Sequence, residues 1–393
     1  LFRSLTLSDY TPQWRLTRKI SVSVIQNFAK NTENLQENLL QECQRLIYFL
    51  KQQKDKPVDA LIALKFATGN IILNALFGVK FSYDNEALRK ILSISDRYGK
   101  AISGSAIVDF FPFLKYFPNK ALSDLVSLMT ETLDLLGKMF MKNKETYTDG
   151  HVRNIADSFI DTVEKETMKD KENSSSSQNT LNMAPLLSDE QIVQGMADLF
   201  GGGFDTSSTT LNWALAYLIK YPDIQRRLQD ELDRVVGRER LPVLEDLASL
   251  PLLQATIYEL MRITCLAPLS VPRSTTTETK FRDFVIPKDT MVFVNLWSVH
   301  RNSEIWKDPH VFNPWRFLNG AGELIDPKSF GGFLPFSAGR RKCPGEPLAT
   351  KTIPVFLATL IHHFRFSQEG LPEECQGINL EGNCALTDRK SVG

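Results

Sequence analysis

Along most of the chain apolar residues return every three or four positions, the spacing of a helix with one buried face, and two-residue alternation is scarce. Gly and Pro are widely spaced, so the pattern predicts a mainly α protein with small β-sheets. Strand-like patches are confined to 275–294, around the turn-forming Pro287, Lys288 and Asp289, and to a stretch near the C-terminus. The best-marked helix starts after Ser188, which with Gln191 three residues on makes a capping-box pattern. Ile192, Met196 and Leu199, then Leu211, Leu215 and Leu218, keep helical spacing until Tyr221 and Pro222. A helix over 189–220 would run about 48 Å at ~1.5 Å per residue, enough to cross a whole domain. Pro222 opens another helix, with Ile224, Leu228 and Leu232 on one face and Gly237 as its stop. Residues 169–188, with the serine run 174–177, are too polar to order against a core and are expected to form an exposed loop.

The 393 residues carry 46 basic and 46 acidic side chains, so bulk charge recruits no nucleic acid. At 42% hydrophobic the chain can bury a large core, and its length fits one large domain or two to three smaller ones. Five scattered cysteines, with no Cys-x-x-Cys, suit neither a disulfide framework nor zinc and point to a reducing compartment. Uninterrupted apolar runs, the best near 211–219 and 353–361, fall short of the ~18 residues that span a bilayer. The chain opens at Leu1 with no signal-peptide pattern, and a preceding portion is expected.

In the long helix sits Gly201-Gly202-Gly203-Phe204-Asp205-Thr206-Ser207. Three interior glycines sacrifice roughly 3 kcal/mol of helix propensity relative to alanine. Either a loop splits the helix there, or a flat ligand lies against bare backbone, with the helix bulged and Asp205 and Thr206 relaying protons. A phosphate-cradling loop is disfavoured, since no Lys follows the glycines.

Cys43 and Cys265 read as small buried hydrophobes, but Cys343 follows Arg340, Arg341 and Lys342. Pro344, as a first helical residue before an apolar run, would put Cys343 at a helix N-terminus. Positive neighbours and the helix dipole favour a thiolate, hence a metal ligand or a nucleophile. No histidine among His151, His300, His310, His362 and His363 has the setting of a base for a Cys–His hydrolase, so metal ligation is preferred.

The order Phe336-x-x-Gly339-x-Arg341-x-Cys343-x-Gly345 resembles the haem-binding signature of the cytochrome P450 superfamily of haem-thiolate monooxygenases. Gly202 to Ser207 resemble its oxygen-activation stretch, Glu259-x-x-Arg262 its helix pair, and Phe312, Pro314, Arg316 and Phe317 the segment whose Arg joins that pair. Trp315 stands where Glu is usual, Gly202 where Ala is common, and Ser207 replaces Thr. The resemblance implies haem b between the long helix and the Cys-bearing loop, with Cys343 as axial ligand. It assigns Gly202, Gly203, Phe336, Gly339 and Gly345 to haem contact, and Trp14, Arg18, Arg273 and Arg341 to the propionates. It makes Glu259, Arg262 and Arg316 a scaffold. Asp205 and Thr206 would deliver protons, and Ala267, Leu269 and Val271 would line an apolar substrate wall.

One catalytic domain is implied, its anchor, first helices and most of a first sheet lying before Leu1. Stretches 108–120 and 150–157 are similar to the animal microsomal group that includes steroid 17α-hydroxylase and the aryl-hydrocarbon hydroxylases. That group implies a flat steroid or polycyclic aromatic substrate and residence at the endoplasmic reticulum membrane. Electrons would come from NADPH through the flavins of cytochrome P450 reductase, with cytochrome b5 a further partner, docking where Arg340 and Lys342 meet an acidic surface. A haem-binding product without turnover, and a peroxide isomerase that needs no reductase, are the alternatives; Asp205 and Thr206 favour oxygen activation over both.

Overall fold

Ser188 and Gln191 close the expected capping box: the Ser188 N–H donates to Gln191 Oε1 at 2.9 Å, and the Gln191 N–H to Ser188 Oγ at 3.4 Å. Local rules of this kind start and stop most helices in the computed structural model. It describes residues 5–6, 8–53, 58–86, 88–93, 97, 113, 116–174, 187–367 and 380, with backbone only for 169–174. The main helices are α1 (Pro12–Lys30), α2 (Thr32–Lys51), α3 (Ala60–Phe77), α4 (Lys120–Glu145), α5 (Ile155–Ser174), α6 (Asp189–Lys220), α7 (Pro222–Val235), α8 (Pro251–Thr264), the short α9 (Leu296–Val299) and α10 (Glu346–His363). Two small antiparallel sheets pair β1 (Arg273–Ser274) with β4 (Met291–Val292) and β2 (Thr279–Phe281) with β3 (Phe284–Ile286). Strands β2, β3 and β4 fall within the 275–294 patch and β1 just before it, and Asp289, at φ 63°, makes the turn before β4. The second patch, near the C-terminus, lies outside the described residues, as do 108–112 and 114–115.

The chain divides into two compact units: Leu1–Asn31 with Gly69–Phe204, and Thr32–Thr68 with Asp205–Gly393. In the first, α5 packs against α1 and α4. A polar clip forms where α4 meets α5: Arg153 grips Asp157 at 2.6 and 2.9 Å, and Asn143 donates to the same carboxylate at 2.6 Å. In the second, α10 packs against α2, α7 and α8, and α8 against the 3-10 turn Pro314–Phe317. Trp306 and Phe317, with Phe330 and Phe333 beside them, build an aromatic core there.

Four expectations change. Helix α5 continues to Ser174, so residues 169–174, expected in an exposed loop, are helical; Lys, Met and Glu in 165–172 are good helix formers and need no core to extend a helix already nucleated. Helix α6 is α-helical without interruption through Gly201 to Ser207, with neither a splitting loop nor a bulge. Helix α10 begins at Glu346 with Pro347, not Pro344, in its first turn. Helix α3 is long and apolar enough to cross a membrane, which Lys65 and Asn70 hide from a search for unbroken runs. Its window is 83% buried within the protein. Asn70 exchanges hydrogen bonds with the Phe81 backbone at 2.8 and 3.0 Å, as a core helix must when it carries a polar side chain.

Candidate functional site

In the second unit Cys343 ends a loop closed by its own backbone. The Cys343 N–H donates to the Phe336 carbonyl at 2.9 Å, and the Lys342 N–H to that of Gly339 at 3.1 Å. Gly339 has φ 72°, a left-handed conformation open to glycine at little cost; Ser337, at φ 59°, takes the same region with a side chain. Three residues on, α10 starts. Cys343 is exposed, whereas Cys43 and Cys265 are buried, and none of the three forms a disulfide. Burial pushes the Cys43 thiol up to about 12.

Arg273 donates to Ser337 Oγ at 3.0 Å, so its guanidinium lies against the same loop. Lys342 forms an ion pair with Glu346, which offsets the charge it was expected to offer a docking partner. Among the described residues no group of three His, Cys, Asp or Glu could hold a metal ion. A lone cysteine sulfur on such a loop fits a metal whose other donors a porphyrin would supply.

Where α6 enters this unit, Asp205 and Ser207 are buried and Thr206 is half-buried. The Thr210 hydroxyl donates to the Thr206 carbonyl at 2.8 Å and Ser208 to that of Asp205 at 3.0 Å, so neighbouring hydroxyls are consumed by the helix. In the first unit, a Cβ at Gly202 would meet nothing within 4 Å, while one at Gly203 would come within 2.9 Å of Ile72. The two glycines differ: Gly203 allows close packing against Ile72, and Gly202 faces open space. Ala267 and Val271 are half-buried and Leu269 is 47% exposed, on the turn after α8 closed by the Ser270 N–H to the Ala267 carbonyl at 3.0 Å.

The scaffold triad assembles as the resemblance implies. Glu259 and Arg262, both fully buried, pair at 2.7 and 2.8 Å, and Arg316 Nε lies 3.0 Å from Glu259 Oε2. Arg262 also donates to the carbonyls of His300 and Pro309, each at 2.8 Å, and Arg316 to that of Lys307 at 2.8 Å. The Asn313 N–H completes the carboxylate at 2.9 Å. Such pairing is what a buried charge cluster requires, although Arg316 Nε, in ion-pair range of Glu259, makes no well-formed hydrogen bond.

Trp14 and Arg18 occupy one face of α1 in the first unit, with the guanidinium 5.6 Å from the indole centroid. The indole N–H donates to the Leu5 carbonyl at 3.0 Å. The Leu5 N–H in turn donates to Asp198 Oδ2 at 2.5 Å. Sequence reasoning passed over Asp198, although it stands one turn before Gly202 on the same helix. Desolvation pushes its carboxyl up to about 7, against the lowering effect of the Leu5 and Thr6 amides.

An exposed cysteine beside a cationic turn and a buried Glu–Arg–Arg cluster in the second unit fit the haem-thiolate class. The family profile for cytochrome P450 matches residues 2–381, and the chain belongs to that family. It is similar to cytochrome P450 1A1 of Platichthys flesus, with 32% identity over 93% of this chain and 70% of that protein. Cytochrome P450 1A3 of Oncorhynchus mykiss is 33% identical over the same shares. A zebra fish cytochrome P450 structure with progesterone superposes with a TM-score of 0.83 at 28% identity, covering 98% of this chain and 82% of that one. The protein is thus an oxidoreductase of the monooxygenase type that uses haem b.

Proposed function

We propose that the chain, as one catalytic domain, inserts one oxygen atom of O2 into a flat lipophilic substrate, a steroid nucleus or a fused aromatic ring system. The observation that carries this reading is the exposed Cys343 sulfur on its backbone-closed loop. Haem b, held by that sulfur, would supply the oxygen-activating chemistry, with the thiolate donating electron density to the iron. Phe336, Gly339 and Gly345 in the second unit would give the ring close approaches, and Gly202 on α6 would offer it bare backbone, while Gly203 is kept small by Ile72. Arg18, Arg273 and Arg341 neutralise propionates, and Trp14 supports Arg18. The Asp205 carboxyl and the Thr206 hydroxyl hold and pass protons, while Ala267, Leu269 and Val271 present apolar surface to the substrate and exclude water. The progesterone in the zebra fish structure and the 1A names of the relatives support the two substrate shapes.

Electrons arrive from NADPH through a flavoprotein reductase, with cytochrome b5 as a second donor, at the endoplasmic reticulum membrane. Arg340 is the docking cation on the cysteine side. Spectral titration of the haem-loaded protein with progesterone and with a fused-ring hydrocarbon, followed by turnover with reductase, tests the reading. Binding of neither, or hydroxylation of neither, refutes it. Thr206→Ala should raise peroxide released per NADPH consumed; unchanged coupling counts against the proton relay.

A further inference from the structure

We infer that His300 is a positioning residue that locks the Cys343 loop onto the Glu259–Arg262–Arg316 cluster through a single ring nitrogen. His300 caps α9 at its C-terminal end and is fully buried. Two of its atoms face in two directions. Its main-chain carbonyl accepts from Arg262 Nη1 at 2.8 Å. Its ring Nε2 accepts the Leu334 N–H at 2.9 Å.

Leu334 opens the loop: its carbonyl accepts the Ser337 N–H at 3.0 Å, and Phe336, between them, holds the Cys343 N–H at 2.9 Å. Four hydrogen-bonded steps therefore lead from the charge cluster to the cysteine backbone, and His300 supplies two of them. Phe333, 6.2 Å from the imidazole, packs on the aromatic core and keeps ring and loop in register.

An acceptor at Nε2 requires the neutral ring with its proton on Nδ1. Nδ1 is buried with no hydrogen-bond partner among the described residues. Arg262 and Arg301 stand beside the ring, so a charged imidazole would be both unsolvated and repelled. Burial and these two cations hold the imidazole down at about 4, so it stays an acceptor throughout the neutral range. A histidine before a charged stretch carries no such signal in the sequence. Only the tertiary contact with Leu334 gives it a role.

This inference rests on Cys343 as the haem ligand for its functional consequence, but the contact itself is measurable without haem chemistry. The test compares wild type, His300→Leu, which removes the acceptor, and His300→Gln, whose side-chain oxygen can still accept the Leu334 N–H. Amide hydrogen exchange at Leu334 should rise about tenfold or more in the leucine variant and stay near wild type in the glutamine variant. The reduced, carbon-monoxide-bound spectrum should lose part of its thiolate-ligated band in the leucine variant and regain it with glutamine.

Exchange at Leu334 unchanged within twofold in His300→Leu overturns the proposal. So does a well-folded His300→Gln protein whose Leu334 exchanges as fast as in His300→Leu. If the leucine variant does not fold, the glutamine variant decides alone, and failure of both to fold overturns the claim that the acceptor is what matters. Expected exchange combined with no thiolate band in wild type would leave the positioning intact and refute the haem-ligand reading instead.

Discussion

Removing the Glu259 carboxylate should be the most damaging single change in the second unit. Glu259→Ala deletes the partner of two guanidinium groups, Arg262 at 2.7 and 2.8 Å and Arg316 at 3.0 Å, and orphans the Asn313 N–H. Breaking a buried ion pair from one side costs about 3–5 kcal/mol, because the surviving charge stays buried. An unsatisfied buried amide costs about 1–3 kcal/mol, and the two overlap because both act on one carboxylate.

The carbonyls of His300, Pro309 and Lys307 still hydrogen-bond the arginines, which keeps the loss near the lower part of the sum, about 4 kcal/mol. That is a large fraction of a folding stability of roughly 5–15 kcal/mol. Glu259→Gln keeps an oxygen for Asn313 and should lose less, about 3 kcal/mol, all of it from the missing charge. Urea unfolding followed by tryptophan fluorescence is suited to the measurement, since Trp306 stacks 5.4 Å from the Arg262 guanidinium. Haem incorporation should be abolished in the alanine variant. A loss below about 1 kcal/mol in both variants, or a stable holoprotein from Glu259→Ala, refutes the reading of the triad as a buried, charge-paired scaffold.

Three further outcomes follow from the geometry. Gly202→Leu should leave the haem-free fold as stable as wild type or slightly more so, since a Cβ there meets nothing within 4 Å and leucine favours a helix, while haem uptake is lost; normal haem content in that variant would show that no flat group lies there. Because His300 is held at about 4 when folded and returns to about 6.5 when unfolded, the unfolded chain binds the extra proton as pH falls through that window. Stability should then drop toward pH 4 by up to about 3 kcal/mol more in wild type than in His300→Gln, and parallel pH profiles of urea midpoints would contradict it. In the haem-free protein at neutral pH, iodoacetamide should modify Cys343 and spare Cys43, whose thiol is pushed up to about 12; mass spectrometry showing comparable labelling of the two would reverse the assignment.

Much of this molecule is written locally. The cap at Ser188 and Gln191, the stop at Tyr221 and Pro222, the α7 face of Ile224, Leu228 and Leu232, and the β patch after Arg273 depend on neighbours a few residues apart, so periodicity and turn chemistry place them. The loop signature around Cys343 is legible for the same reason, being ten residues whose glycines and cations act on one another.

What the sequence alone left open depends on partners far along the chain. Whether Gly201 to Gly203 break α6 was decided only in the fold, where the helix runs through them unbroken despite their low propensity. That α3 belongs to a core was settled by the enclosure of its polar residues, and the direction of the Trp14 indole by Leu5. His300 and Asp198 are ordinary letters until Leu334 and Leu5 are brought against them. A lone imidazole or carboxyl acquires a role from the desolvation and hydrogen bonds that distant segments impose, and no window of sequence contains those segments together.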